Sequence, residues 1–301
     1  MRLLLISNST NAGEAYLDYP KKELGDFFKG IDEVMFVPYA AVTFTYDAYL
    51  EKVQARFSEL GIRVRSVHRE ANPALAIMSA KGIVVGGGNT FRLAQMMQRE
   101  GLVEAIRLRV TDEGIPYAGW SAGSNMACPT IGTTNDMPII EPATFHAAGL
   151  IPFQINPHYL DAHPQGHAGE TREQRIEEYI TVNTNVYVAG LREGCMLRLE
   201  GDRLSLIGPR PMRIFRWGEL PREVNPGDDL GFLLQQSLEG LSAQRPIRSV
   251  STRSAPEPRG NASRRNTCLK RDSTCSTATG GTVAVKSTLS PGATASCTLS
   301  K

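Results

Sequence analysis

Residues 115–129, IPYAGWSAGSNMACP, place a serine between two glycines at the end of an apolar run. Gly119, Ser121 and Gly123 form the pattern Gly-x-Ser-x-Gly. Where a strand turns into a helix, such glycines let the backbone bend sharply enough to expose the serine hydroxyl. The helix that follows also directs backbone amides at a developing oxyanion. The pattern alone leaves Ser121 as either a nucleophile or a small residue in a tight turn.

Short apolar runs alternate with amphipathic segments on both sides of this stretch, which predicts strands alternating with helices. We predict strands at residues 3–7, 34–39, 62–67, 82–87, 115–120, 153–157 and 185–190, then a hairpin within 195–208. We predict helices at residues 47–60, 90–98, 102–111 and 169–180. This order indicates an α/β fold, a three-layer sandwich with a mostly parallel sheet.

The charge and composition of the 301 residues change near residue 240. Residues 241–301 hold ten Lys and Arg against two Asp and Glu, a charge of +8, while the first 240 residues carry −6. The same segment contains twenty Ser and Thr and no Phe, Trp or Tyr, too little apolar surface to offset the entropy of ordering. We therefore predict a catalytic α/β domain at 1–238 and a disordered, basic, Ser/Thr-rich tail at 239–301.

Several classes of protein are disfavoured by the same composition. The five cysteines form no Cys-x-x-Cys pair, which argues against a disulfide framework and a zinc site. The apolar run at the N-terminus is too short for a signal peptide, and no window approaches a membrane span. We expect a cytoplasmic protein without membrane association. The basic run at 264–271 has no interleaved aromatic residues, so a solvated tail is favoured and no nucleic-acid partner is expected.

A serine nucleophile needs a base within hydrogen-bond reach and an acid that orients the base. Among the five histidines, His158 in QINPHYL directly follows a predicted strand. Asp136 in TTNDMP lies in a polar turn and is the first candidate for the acid. The gaps of 15 and 22 residues that separate Ser121, Asp136 and His158 leave no room for the elements of an α/β-hydrolase. A convergent triad on a different α/β sheet is therefore favoured.

Two further motifs bear on the chemistry. The run GGGNTF at 86–91 lacks the spacing of a phosphate loop, but the amide of Gly88 could face that of Ala122 and complete an oxyanion hole. The run HYLDAHPQGH at 158–167 holds four candidate metal ligands, His158, Asp161, His163 and His167. Proline and glycine interrupt this run, so no helix would place the four groups on one face, and we expect no metal.

Six motifs occur in an order that resembles the peptidase E family, a serine peptidase group that also includes cyanophycinase. They are LLLISNST, GGGNTFRL, GWSAGSNMACPTI, TTNDMPI, INPHYLD and GETREQRI, and they span about residues 1–235. The resemblance implies a flavodoxin-like or class I glutamine amidotransferase-like sandwich that uses no cofactor. It also implies that the substrates are dipeptides with an N-terminal aspartate.

The resemblance further implies roles for individual residues. The nucleophile falls on Ser121 and the base on His158. The acid falls on Asp136, which we favour, while Glu193 of LREGC is a competing assignment because it also follows a strand.

A site that is specific for aspartate needs an arginine to bind the substrate carboxylate. Arg172 in GETREQR is the first choice and Arg175 the second. Three alternatives to an Asp-X dipeptidase stay open: a cyanophycinase-like hydrolase of β-aspartyl dipeptides, a metallohydrolase, and a catalytically silent protein that binds Asp peptides. The chain is expected to act as a monomer or a homodimer.

Overall fold

The computed structural model describes residues 1–161 and 169–235. Its strands are β1 Arg2–Ile6, β2 Glu33–Val37, β3 Arg63–Ser66, β4 Ile83–Val85, β5 Tyr117–Trp120, β6 Gln154–Tyr159, β7 Val188–Arg192, β8 Met196–Glu200, β9 Arg203–Ile207, β10 Met212–Phe215 and β11 Arg222–Val224. Its helices are α1 Lys21–Phe27, α2 Tyr46–Ser58, α3 Pro73–Met78, α4 Thr90–Arg99, α5 Leu102–Thr111, α6 Ala122–Asn125, α7 Arg172–Val182 and α8 Gly231–Leu234, with a 3-10 helix at Val67–Arg69. The fold is α/β, as the sequence predicts.

The larger sheet has seven strands in the order β3-β2-β4-β5-β1-β8-β9. Strands β3, β2, β4, β5 and β1 are parallel, and the antiparallel hairpin β8–β9 extends the sheet beside β1. Alternate residues of β1 enter different cores: Leu3 and Leu5 face one apolar cluster, whereas Leu4 and Ile6 face the other. Because helices cover both faces, the buried strands read as continuous apolar runs.

The smaller sheet has four strands in the order β11-β10-β7-β6. Its strands β6 and β7 are parallel, while β10 is antiparallel to both of its neighbours, β7 and β11. One side contributes Ile155, Ala189 and Leu191 to the core beneath the larger sheet. The other side packs Tyr159 and Phe215 against Ile176 and Ile180 of α7. The sequence predicts strands β6 and β7 but not their separation into a second sheet.

The predicted strands and helices match the structure within three residues at each end. Apart from helices of a single turn, the elements that were not predicted are α1, α3, β10 and β11. The expected domain boundary after residue 238 and the tail at 239–301 lie outside the described residues. Within residues 1–161 and 169–235, the structure has no helix with the length and apolar character needed to cross a membrane.

Candidate active site

Ser121 occupies a sharp turn between β5 and α6, in the middle of the larger sheet. Its φ is 53°, an uncommon value for a residue with a side chain. The flanking glycines make the turn possible, because a Cβ on Gly119 would lie 2.5 Å from the carbonyl oxygen of Gly123. A Cβ on Gly123 would lie 2.2 Å from the carbonyl oxygen of Val85 in β4. The turn is therefore fixed by close backbone packing, as the motif predicts.

His158 reaches Ser121 from the smaller sheet because the pairing of β6 with β7 is irregular. Pro157 pairs with Leu191 and Tyr159 pairs with Arg192, so His158 is an extra residue without a ladder partner. Its φ is 54°, in the left-handed region. Such a bulge bends the strand and redirects a side chain that regular alternation would place elsewhere.

The side chains of Ser121, His158 and Glu193 form a hydrogen-bonded row. Nε2 of His158 lies 3.0 Å from Oγ of Ser121, and Nδ1 lies 2.7 Å from Oε1 of Glu193. An ionised carboxylate only accepts hydrogen bonds, so Nδ1 carries the proton in the neutral ring and Nε2 is left to accept from the serine hydroxyl. This geometry suits removal of a proton from Ser121.

The expectation that Asp136 faces His158 is wrong in this geometry, because Glu193 occupies that place. Oδ2 of Asp136 instead accepts hydrogen bonds from the amide of Thr90 at 2.7 Å and from its hydroxyl at 2.6 Å. The hydroxyl of Thr134 donates to the same oxygen at 3.2 Å. Asp136 therefore holds the first residue of α4, directly after the Gly-rich run, where a negative charge also complements the helix dipole.

The Gly-rich run lies against Ser121. A Cβ on Gly87 would lie 3.0 Å from Cβ of Ser121, so only a glycine fits there without displacing the neighbour. The carbonyl oxygen of Gly87 accepts from the hydroxyl of Tyr49 at 2.9 Å. The amide N–H of Gly88 belongs to the same trans peptide and points the opposite way. That Gly88 and Ala122 together bind an oxyanion stays a prediction.

Arg172 is half-buried at the first turn of α7, and its Nη1 donates to Oδ1 of Asn135. The amide nitrogen of Asn135 in turn donates to the carbonyl oxygen of Pro157 at 2.6 Å, next to His158. Within the described part of the chain, no carboxylate forms an ion pair with Arg172. The carboxylate of Asp136 is close enough to favour the charged form of Arg172, but it forms no salt bridge with it. A half-buried cation that is not held in an ion pair is suited to bind an anionic ligand.

Burial lowers the pKa of Arg172, and the neighbouring charge of Arg175 acts in the same direction. A guanidinium nevertheless stays protonated in proteins. Arg175 differs from Arg172, because its side chain is exposed and its Nε lies 3.6 Å from a carboxylate oxygen of Glu170. Of the two predicted arginines, the structure brings only Arg172 to the segment beside His158.

The alternative metal site receives no support from the residues that can be described. Asp161 is held by the guanidinium of Arg192, whose hydrogen bonds lower the pKa of that carboxyl. His163 and His167 lie outside the described residues. In the ranges 1–161 and 169–235, no group of three or more His, Cys, Asp or Glu side chains is arranged to hold a metal ion.

Two residues at the site were missed by the sequence reasoning. Asn135 orients Arg172, and its position beside Asp136 in TTNDMP was the available signal. Tyr49 fixes the Gly87–Gly88 peptide from the first turn of α2, and its hydroxyl also accepts from Nε1 of Trp120 at 3.0 Å. No motif could reveal Tyr49, because its role depends on where α2 packs.

Known proteins with similar sequences are peptidases. The model of the family described as Peptidase family S51 matches residues 3–207. A protein named Peptidase E from Nostoc sp. is 48% identical over 237 residues, which cover 78% of this chain and 98% of that protein. Peptidase E from Streptomyces coelicolor is 48% identical over 235 residues, which cover 78% of this chain and 95% of that protein.

The fold is also found in a solved structure. The crystal structure of a peptidase from an acI-B1 Actinobacterium superposes with a TM-score of 0.56. The superposed part covers 76% of this chain and 96% of the Actinobacterium peptidase, at 16% sequence identity. At this identity the similarity concerns the fold, and it agrees with the predicted class I glutamine amidotransferase-like sandwich.

Proposed function

This chain belongs to peptidase family S51, and we propose that it is a serine exopeptidase that hydrolyses dipeptides with an N-terminal aspartate. The observation that carries the proposal is the row formed by Ser121, His158 and Glu193. It supplies a nucleophile, a base and an orienting acid within hydrogen-bond distance of one another. The half-buried guanidinium of Arg172 supports the preference for aspartate.

The reaction begins when Oγ of Ser121 attacks the carbonyl carbon of the Asp-X peptide bond. Nε2 of His158 takes the serine proton, and the carboxylate of Glu193 stabilises the imidazolium that forms. The carbonyl oxygen becomes an oxyanion, which the amides of Gly88 and Ala122 bind. Amides that are already oriented stabilise this charge without reorganising during the reaction.

The tetrahedral intermediate collapses when the imidazolium of His158 gives its proton to the leaving amine. The C–N bond breaks, the residue after aspartate departs, and an aspartyl ester remains on Ser121. Water then attacks the ester with His158 as base, and aspartate is released. No cofactor takes part in these steps.

Arg172 would bind the side-chain carboxylate of the substrate aspartate. The link from Arg172 through Asn135 to the carbonyl of Pro157 keeps the guanidinium near His158. A planar guanidinium pairs bidentately with a carboxylate, so a substrate with an amide or a methyl group there would leave the charge unpaired. This is the physical basis of discrimination against Asn-X and Ala-X dipeptides.

A cavity of about 610 Å³, lined by the segments 41–47 and 139–140 together with His68 and Arg92, is the proposed place for the residue after aspartate. Its lining includes the apolar side chains Val42, Phe44, Ile139 and Ile140. The amide of Asn89, in the Gly-rich run, donates to the carbonyl of Ala40 at 2.9 Å. This bond connects the run to the segment after β2, which lines the cavity from residue 41 onward. Asp47, His68 and Arg92 also line the cavity, so its apolar part favours a leaving residue such as leucine.

The proposal is tested with a set of dipeptides in which the first residue is Asp, Glu, Asn or Ala and the second is Leu, together with β-aspartyl-leucine. We expect efficient cleavage of Asp-Leu only, unaffected by a chelator. Ser121→Ala should lower kcat by about 10⁶-fold, as loss of a triad serine does elsewhere. Retained Asp-Leu cleavage by Ser121→Ala would overturn the serine mechanism. Preferential cleavage of β-aspartyl-leucine would favour a cyanophycinase-like activity, and binding without cleavage would favour a silent binding protein.

The role of Arg172 is tested with Arg172→Gln, using Arg175→Gln as the matched control on the same helix. Arg172→Gln should raise KM for Asp-Leu and reduce the preference for Asp-Leu over Asn-Leu by about 100-fold, because a charge-assisted hydrogen bond is lost. Arg175→Gln should leave both quantities within about threefold, since its side chain is exposed. Equal effects of the two substitutions would remove the assignment.

A further inference from the structure

Ser7 and Asn8, in the motif LLLISNST, directly follow β1 and have no part in the steps above. Both residues are buried, at 0% and 1% exposure. β1 lies between β5, which leads to Ser121, and β8, which follows Glu193 in the chain. Two buried polar residues at this position raise the question of what their side chains bind.

The hydroxyl of Ser7 connects the two strands that carry the base and the acid. It accepts a hydrogen bond from the amide of His158 at 2.9 Å. It donates to the carbonyl oxygen of Leu191 at 2.8 Å, two residues before Glu193 in β7. His158 is the extra residue of the bulge, so its amide has no partner in the strand ladder and depends on Ser7.

The side chain of Asn8 holds the turn that carries Glu193. Its Oδ1 accepts from the amide of Gly194 at 2.9 Å and from the hydroxyl of Tyr19 at 2.8 Å. Its Nδ2 donates to the carbonyl of Thr10 and to the side chain of Asn11, both at 2.9 Å. With both ends of the amide engaged, the side chain has a single favourable orientation.

The residue before this pair binds the nucleophile. The carbonyl oxygen of Ile6 accepts from the amide of Ser121 at 3.0 Å. Three consecutive residues therefore contact the three parts of the row: Ile6 contacts Ser121, Ser7 contacts His158, and Asn8 contacts the residue after Glu193. We propose that Ser7 and Asn8 are positioning residues that set the His158–Glu193 pair at the correct distance from Ser121. This inference rests on the proposed function, because it concerns the same row.

The expected effect follows from the strain at His158. Without the Ser7 hydroxyl, the buried carbonyl of Leu191 and the amide of His158 lose their partner, and the left-handed φ of His158 loses its support. The imidazole then moves relative to Ser121, and a displacement of about 1 Å can lower a rate by about 100-fold. Because Arg172 binds substrate from another segment, kcat should fall while KM stays nearly constant.

The experiment compares Ser7→Ala with Ser66→Ala. Ser66 is the buried last residue of β3, far from Ser121 in the strand order. Its hydroxyl lies 3.3 Å from the carbonyl oxygen of Phe36 and 2.6 Å from Nδ1 of His68, which lines the cavity proposed for the leaving residue. The labelling rate of Ser121, which does not depend on that cavity, is therefore the readout that compares the two variants. Asn8→Ala and Asn8→Asp form a second pair, since an aspartate keeps the acceptor for the amide of Gly194. For each full-length variant we would measure the Tm, kcat and KM for Asp-Leu, and the rate at which a fluorophosphonate probe labels Ser121.

We expect Ser7→Ala to lower kcat and the labelling rate of Ser121 by 10- to 100-fold, on the scale of a misplaced catalytic group, with KM within about threefold. Ser66→Ala should lower the Tm to a similar degree without changing the labelling rate of Ser121. Asn8→Asp should retain more activity than Asn8→Ala. Equal losses of the labelling rate of Ser121 per folded molecule in Ser7→Ala and Ser66→Ala would overturn the inference.

Two further outcomes keep the test decisive. If Ser7→Ala does not fold, the Asn8 pair decides, and equal labelling rates in Asn8→Asp and Asn8→Ala overturn the inference. If the unaltered protein fails to cleave Asp-Leu, the proposed function fails by itself. The labelling rate of Ser121 then still measures positioning, because the probe needs the nucleophile and its base but no aspartate pocket.

Discussion

The nucleophile and its partners lie in two regions that are built in different ways. Ser121 lies in the larger sheet, in a turn that exists because Gly119 and Gly123 let backbones approach closely. His158 and Glu193 lie at the ends of two strands of the smaller sheet, where hydrogen bonds and ion pairs hold them. The first region is fixed by shape and the second by polar contacts. Close backbone packing requires glycines that can be recognised in the local sequence, whereas polar contacts between distant segments produce no local pattern.

The first and largest expected effect concerns the region that is fixed by shape. In Gly123→Ala the new Cβ would meet the carbonyl oxygen of Val85 at 2.2 Å, and this oxygen belongs to the buried strand β4. We expect the folded protein to lose several kcal/mol of stability, at least about 3, because neither backbone can move aside. Gly25→Ala is the control, since its Cβ would meet only the side chain of Leu60 at 3.3 Å. Urea unfolding measures both, and a stable Gly123→Ala protein would break the comparison.

The second effect concerns the region that is held by polar contacts, and it should appear in catalysis rather than stability. Glu193→Gln keeps a hydrogen bond to His158 but removes the charge that stabilises the imidazolium. We expect kcat to fall by about 10²- to 10⁴-fold, by analogy with the aspartate of a Ser-His-Asp triad. The Tm should change little, because the Glu193 side chain is 42% exposed. Activity within threefold of the unaltered protein would exclude Glu193 as the acid.

Asp136→Asn provides the contrast to Glu193→Gln. Asp136 accepts three hydrogen bonds at the start of α4, so its loss should loosen the Gly-rich run and lower kcat as well. Unlike Glu193→Gln, it should also lower stability by about 2 kcal/mol, or several degrees in Tm, because charge-assisted bonds in a half-buried place are lost. An unchanged Tm with a large loss of kcat would return Asp136 to the role of the acid.

The same difference explains what could be predicted from sequence. Strands, helices and the turn at Ser121 follow from local patterns of apolar residues and glycine, and these were predicted closely. The position of His158 directly after a predicted strand made it the candidate base, and the resemblance to known motifs supported His158 and supplied Arg172. What no local pattern could indicate is which carboxylate meets His158, since both Asp136 and Glu193 lie in polar turns. That choice depends on the bulge at His158 and on the second sheet, and both arise from contacts between segments far apart in the chain.

The fourth prediction uses acid to test the ion pairs of the second region. Hydrogen bonds from Arg192 lower the pKa of Asp161 and of Glu223. Their contribution to stability is complete above the ordinary carboxyl values of about 4, and it is lost as the pH falls through the lowered values of the folded protein. Arg192→Met should therefore cost about 2 kcal/mol at pH 7 and progressively less towards pH 3.5.

The measurement for Arg192→Met is urea unfolding at pH 7, 5 and 3.5. Arg63→Met is the control, because the side chain of Arg63 is 73% exposed and its contact with Glu33 is 3.3 Å long. Its effect should stay below about 0.5 kcal/mol at every pH. A stability difference for Arg192→Met that does not change with pH would mean that packing of the side chain, and not its charge, holds the ends of β6 and β7.

The smallest expected effect concerns Cys128, which lies where the two regions meet. Its sulfur accepts from the amide of Ile155 in β6 at 3.3 Å and donates to the carbonyl of Ser124 in α6 at 3.5 Å. Burial raises the pKa of the Cys128 thiol to about 12, so at pH 8 the thiol is protonated and a poor nucleophile. Iodoacetamide should therefore leave Cys128 and the activity unchanged in the folded protein and modify Cys128 after denaturation, as peptide mass mapping would show. Modification at pH 8 with loss of activity would mean that the two regions separate in solution, and the contact between Ser121 and His158 would then be transient.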